Sequence, residues 1–260
     1  MSEPEQINDY YDRDQQLREW YRTPLGNMLA EDEQAELDAI LPDMFGYHLM
    51  QIGSMAAPLL SASRILHKFV LDGESPQLRE AMQIAGAPEQ LPIQADCLDA
   101  VILHHSLELV GDPRQLLREV ERTLVPEGHL VVLGFNPLSL WGLRRFFKMR
   151  RKVAPWDQKF LSVNRITDWM ALLGMEVTHT SYRFFRLPYG HKGLAHQFRF
   201  LESWGQRWWP IFGGVYFIVA KKKVSTLTPI KPRWRPQRSL VRGLSDAASR
   251  SSMQRSRLKK

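Results

Sequence analysis

The chain has 260 residues, 44% of them hydrophobic and 24% charged, enough for one sizeable α/β domain with additions. A single cysteine, Cys97, excludes an internal disulfide and gives no support to a thiolate metal cluster, and no apolar run approaches the ~18 residues of a membrane span. The net charge of +7 is uneven: from Lys221 onward there are 13 basic residues and one acid (13 − 1 = +12), against 22 basic and 27 acidic elsewhere (22 − 27 = −5).

The opening "MSEPEQINDYYDRDQQ" is acidic and polar, unlike a secretory leader, and predicts a cytoplasmic protein. Residues 1–45 form a helical extension. Leu29, Leu37, Ile40 and Leu41 make its stripe, Glu31, Asp32 and Glu33 lie early enough to suit the helix dipole, and Pro42 and Gly46 end it. "YHLMQI" is of strand length. Ser54 to Leu60 turn into a helix that tolerates Pro58 only in its first turn. "ILHKFVLDGES" reads as a second strand breaking at Asp72-Gly73, and "SPQLREAMQIAG" as a short helix.

"DAVILHH" is a buried type of strand. Asp112 caps the next helix, with Pro113 at its first position, Gln115 at the capping-box position and Leu116, Leu117, Val120 and Leu124 on the buried face; Pro126 and Gly128 end it. "HLVVLGF" follows as a nearly continuous apolar strand, so strand, helix and strand form a parallel crossover. Residues 138–160 are a basic, aromatic insertion. "SVNRITDWMALLG" is a helix with Ser162 as cap, Ile166, Trp169, Met170 and Leu173 inward and Gly174 as stop. "MEVTHTSYRFF" and "GGVYFIVAKKK" are strands around a loop at 187–213. Residues 224–260, rich in Ser, Pro, Arg and Lys, read as a disordered tail beyond a domain at 46–223.

Five features of the central block recur in one order: Leu91-Pro92-Ile93, Asp99-Ala100-Val101, Leu107-Glu108-Leu109, Asp112-Pro113, and Arg122 to Gly128. In this the chain resembles the class I S-adenosylmethionine-dependent methyltransferases of the type 11 group. The resemblance covers about residues 45–222. It implies a doubly wound, mostly parallel seven-stranded α/β sheet, S-adenosyl-L-methionine as cofactor and methyl transfer to an unidentified acceptor.

The family's first cofactor loop, a strand-ending acid and then G-x-G-x-G, falls on Gln51, Gly53, Met55 and Ala57; the first glycine is kept and Met55 replaces the second. Such a loop needs room beside the backbone and free N–H groups. The ribose carboxylate of the resemblance falls on Asp72 or Glu74, since an ionised carboxylate accepts from both ribose hydroxyls. The adenine position falls on Ala87, and Leu109 stands where the family has histidine. A lone Gly53, or Asp72 before Gly73, is also what a plain turn requires.

His104 and His105 end the fourth strand, at the edge where open α/β sheets bind ligands. One is expected to face the cofactor and the other the substrate; the plainer expectation is one buried, hydrogen-bonded imidazole and one exposed. Nothing near them has metal-ligand spacing. Asn136 follows the fifth strand among the substrate loops, and Cys97 is structural. The insertion at 138–160 and the loop at 187–213 are expected to form a basic, aromatic lid, and the tail to meet nucleic acid or an anionic surface. The alternative is a non-catalytic module of the same fold whose lid and tail hold a polyanionic partner.

Overall fold

The N-terminal extension folds as two helices, α1 (Glu3–Tyr21) and α2 (Pro24–Ile40), in the computed structural model, which describes residues 3–53, 59–71, 82–148, 154–186 and 210–223. Thr23 caps α2 by accepting from the Gly26 N–H, and Pro24 stands in the first turn, where no donor is lost. A Cβ on Gly26 would strike the backbone of Trp20 and Tyr21, so glycine lets the second helix fold back closely on the end of the first. Because α2 begins at Pro24, Glu31, Asp32 and Glu33 lie in its middle and not in its first turn. The dipole reading of these acids is therefore corrected, and Glu33 is fully buried.

Seven strands follow: β1 (His48–Ile52), β2 (His67–Leu71), β3 (Met82–Ile84), β4 (Leu98–His104), β5 (Leu124–Phe135), β6 (Met175–Arg183) and β7 (Val215–Lys222). Their order is β3-β2-β1-β4-β5-β7-β6, with β7 antiparallel to both neighbours and the other pairings parallel. This is the expected doubly wound sheet. The central strands are buried along almost their whole length, which is why they read as unbroken apolar runs. Helices α3 (Ser106–Leu109), α4 (Pro113–Thr123), α5 (Leu140–Lys148) and α6 (Val163–Leu172) complete the described elements. Among the described residues no helix is long and apolar enough to cross a membrane.

The chain divides into a unit spanning Met1–Val224 and a second, Ser225–Lys260, which lies outside the described residues, as does the expected basic tail. Side chains of α1 and α2 (Tyr10, Leu17, Tyr21, Leu29, Leu37) join those of the sheet in one core.

The central block holds itself together. The Asp99 carboxylate accepts the N–H groups of Tyr47 (2.8 Å) and His48 (2.9 Å), which sets the start of β1 against β4. Arg122 donates to the carbonyls of Ile93 (2.9 Å) and Leu91 (3.1 Å), tying the turn at Leu91-Pro92-Ile93 to α4, and Glu119 pairs with the same guanidinium. Asp112 accepts from the N–H groups of Arg114 and Gln115, as a cap should.

Three local expectations change. Met82-Gln83-Ile84 is an edge strand paired with Phe69–Leu71, where a helix was expected; β2 offers an unpaired row of backbone groups there and outweighs weak helix propensity. Leu124 belongs to β5 and pairs with Leu98, so Pro126 and Gly128 lie within a bent strand whose Glu127 has φ +66°. Ser162 occupies the cap position of α6 without a side-chain cap bond.

Candidate active site at the carboxyl edge of the sheet

The ends of β1, β2, β4 and β5 form the carboxyl edge, the usual ligand edge of such a sheet. At β1, Gly53 has φ +82°, and a Cβ there would collide with the carbonyl of His104 and approach Ser106 Oγ at 2.7 Å. Ser106 Oγ–H donates to the Ile52 carbonyl at 2.5 Å, locking the two strand ends together. Glycine at 53 is thus required by the close approach of β4. Gln51 is buried and donates from Nε2 to the Gly53 carbonyl at 2.9 Å, so its amide is engaged within the turn. Ala87 lies beyond β3, bridged to Gln90 and half-buried. Met55, Ala57, Asp72 and Glu74 lie outside the described residues.

The α1–α2 hairpin lies along this edge. Tyr11 Oη–H donates to the Gly86 carbonyl just after β3 (2.6 Å). Trp20 packs edge-on against Phe135, at the end of β5, and against Trp141. Glu36 accepts from Ser181 Oγ (2.5 Å) and pairs with Arg183 (2.6 Å) near the end of β6. The cover over the edge, within the described residues, is this hairpin. In the described part of the insertion at 138–160, Trp141 is buried between Phe135, Trp156 and Phe184 and Arg144 and Arg145 lie over Trp156 and Phe160, while Leu138, Leu140 and Leu143 are exposed. The loop at 187–209 is outside the described residues.

Beneath the hairpin lies a polar cluster with no exposure to solvent. Glu33 Oε2 is 3.2 Å from His104 Nε2, and Glu33 Oε1 is 2.9 Å from His105 Nε2. Tyr21 Oη–H donates to both Glu33 oxygens, at 2.9 and 3.1 Å. His105 Nδ1 is 3.0 Å from Glu108 Oε2, and Glu108 Oε1 accepts the Phe135 N–H at 2.6 Å. Burial pushes the Glu33 carboxyl up, but the hydrogen bonds and charges of the two imidazoles outweigh it and hold the pKa at about 2. Burial pushes His105 down, while Glu108 and Glu33 together raise it to about 9. His104, with one carboxylate and a buried ring, is lowered by its loss of water, and Glu108 is raised by its own.

The division of the two histidines between cofactor and substrate is therefore corrected, as is the plainer expectation of one exposed ring: both are buried and share one carboxylate. Asn136 is corrected too, because its side chain is fully used inside the fold. It donates to the carbonyls of Ile211 (2.6 Å) and Gly213 (2.9 Å) and accepts from the Leu138 N–H (3.0 Å). Glu33 and Glu108 escaped sequence reasoning as site residues. One signal was there: Glu33 interrupts an apolar stripe four residues from both Leu29 and Leu37, a position where an acid is buried unless the helix is exposed.

Comparison with known proteins agrees with this architecture. The family model "Methyltransferase domain" matches residues 62–132. The uncharacterized protein YafS of Escherichia coli K12 is 32% identical over 219 residues, spanning 82% of this chain and 84% of that one. The chain belongs to the class I S-adenosylmethionine-dependent methyltransferases. Solved methyltransferases share the fold at low identity. A Thermotoga maritima S-adenosylmethionine-dependent methyltransferase, a possible histamine N-methyltransferase, is 19% identical with a TM-score of 0.62, covering 84% of this chain and 100% of that one. One from Mesorhizobium loti is 15% identical with a TM-score of 0.52, covering 72% and 96%. S-adenosylmethionine is the cofactor that the methyltransferase family implies. β1 and β2 run in register, Ile52 opposite Leu71, which sets the Gly53 turn level with the end of β2, the two strand ends to which the resemblance assigns the cofactor.

Proposed function

We propose that this methyltransferase moves the methyl group of S-adenosylmethionine onto an acceptor that meets the carboxyl edge of the sheet. The observation that carries the reading is the in-register pairing of β1 and β2 at the carboxyl edge, which sets the glycine turn at Gly53 level with the end of β2, in a chain whose residues 62–132 match the methyltransferase domain. When bound, the cofactor supplies a methyl group on a sulfonium, which asks of the protein an in-line approach and a dry site more than a strong base. The hairpin excludes water through Tyr10, Leu17, Tyr21 and Leu29. Gly53 turns the chain at the end of β1 against the His104 carbonyl, and Asp72 or Glu74 holds the ribose hydroxyls. Ala87 leaves the adenine to apolar walls and backbone groups, and Gln51 braces the turn from within.

Calorimetric titration with S-adenosylmethionine and S-adenosylhomocysteine tests this reading. Saturable one-to-one binding, lost in Asp72→Ala or Glu74→Ala with an unchanged circular dichroism spectrum, supports it and opens a screen of acceptors with labelled methyl donor. Absence of binding at millimolar cofactor overturns it, in favour of a module that uses the fold without the reaction.

A further inference from the structure

We propose that Glu33, His104 and His105 bind one divalent transition-metal ion, zinc by the chemistry of the donors, which fastens α2 to the end of β4. The site is argued from its own geometry and stands apart from methyl transfer.

Each of the three residues offers one ligand atom, and these atoms all lie within 4.8 Å of one another. A tetrahedral zinc site, with bonds of about 2.0–2.1 Å, has ligand-to-ligand edges of about 3.3 Å. The carboxylate presents one oxygen to each imidazole at separations of that order, Glu33 Oε2 to His104 Nε2 at 3.2 Å and Glu33 Oε1 to His105 Nε2 at 2.9 Å. The backbone is bent to make them. Successive residues of a strand point to opposite faces, yet His104 and His105 reach the same carboxylate because His105 sits in the left-handed region at φ 52°, ψ 11°. A non-glycine residue in that region is strained, and the surroundings must offset the strain.

The outer partners also match. Glu108 lies on His105 Nδ1 and is itself held by the Phe135 N–H, the carboxylate–imidazole arrangement that aims the opposite nitrogen at a metal. The Tyr21 hydroxyl, beside both Glu33 oxygens, is a further oxygen at the site. Among the described contacts neither Glu33 nor Glu108 meets a lysine or arginine, so the cation beside them is an imidazolium or an ion that displaces its proton. Two imidazole nitrogens select a borderline transition metal over magnesium or calcium, which prefer all-oxygen shells.

The site is sealed, so the ion is supplied while the chain folds. The full chain is produced in cobalt-supplemented medium, and metal content and visible absorption are measured after gel filtration in chelator. The expected result is about one cobalt per chain, with d–d bands that Glu33→Gln and His104→Gln abolish, and with thermal unfolding lowered when the metal is stripped under mild denaturant. Circular dichroism and S-adenosylmethionine titration of each variant separate loss of metal from loss of fold and from failure of the methyltransferase reading. The exposed pair His48 and His67, whose Nδ1 atoms are 3.2 Å apart, is the rival chelator, and His67→Ala is expected to leave the cobalt in place. Cobalt absent from the wild-type chain, retained by folded Glu33→Gln, or lost in His67→Ala would each overturn the proposal.

Discussion

Two histidine pairs occupy opposite ends of the same sheet, and their surroundings could hardly differ more. His48 and His67 open β1 and β2 as a cross-strand pair, stacked with ring centroids 5.0 Å apart at the solvent boundary. His104 and His105 close β4, edge to face at 4.8 Å, with no exposure and two carboxylates around them. Water can reach the first pair. The second has lost that water, so its charge is set by the carboxylates, and each group depends on the others. Proximity of two imidazoles therefore says little; the dielectric and the partners decide what they do.

Glu33→Ala breaks this contrast most severely. It leaves the two buried imidazoles and the Tyr21 hydroxyl without their shared acceptor, and a loss of ~3–5 kcal/mol in urea unfolding is expected, the cost of removing one partner of a buried ion pair. The pH dependence of the metal-free protein comes next. His105 is raised to about 9 from 6.5, so its contribution is complete below pH 6.5 and disappears as pH rises through about 9. Glu33 is lowered to about 2 from 4.5, so its contribution is complete above pH 4.5 and disappears as pH falls through about 2. Denaturation midpoints of the refolded, metal-stripped protein across this range are expected to fall on both sides, and the fall on the alkaline side is expected to shrink in Glu108→Gln. Asp112→Ala removes the cap of α4 at a site remote from the cluster and is expected to cost ~1 kcal/mol, without change in the pH profile. His67→Ala, at the exposed pair, is expected to change stability by less than ~0.5 kcal/mol in the same assay.

The parts legible in advance were those whose contacts are local. The crossover from β4 through α4 to β5 could be read from an apolar run, a capping aspartate with proline after it, and a second apolar run, because each signal acts within a few residues. Even the turn at Leu91-Pro92-Ile93 was legible as a motif, and the structure supplies its reason in the Arg122 hydrogen bonds. Where a signal was ambiguous, tertiary pairing prevailed: Met82–Ile84 took the open edge of β2, and Leu124 exchanged a helical stripe for a place beside Leu98. Gly53 was chosen for a cofactor's approach, yet its positive φ and the nearby His104 carbonyl show that strand packing alone demands glycine there.

The sequence by itself determined the class of sheet, the family, the cofactor the family implies and the edge at which ligands gather, since periodicity and motif order carry that information along the chain. It also placed the two histidines at that edge. Only the tertiary structure decided what surrounds them. Glu33 lies 71 residues before His104 and reaches it because the α1–α2 hairpin folds across the strand ends, tied down at Gly86, Phe135 and Arg183. Burial then turned an ordinary glutamate and two adjacent histidines into one charged network, because removing water makes each charge depend on its nearest partner, and the identity of that partner is a property of the fold.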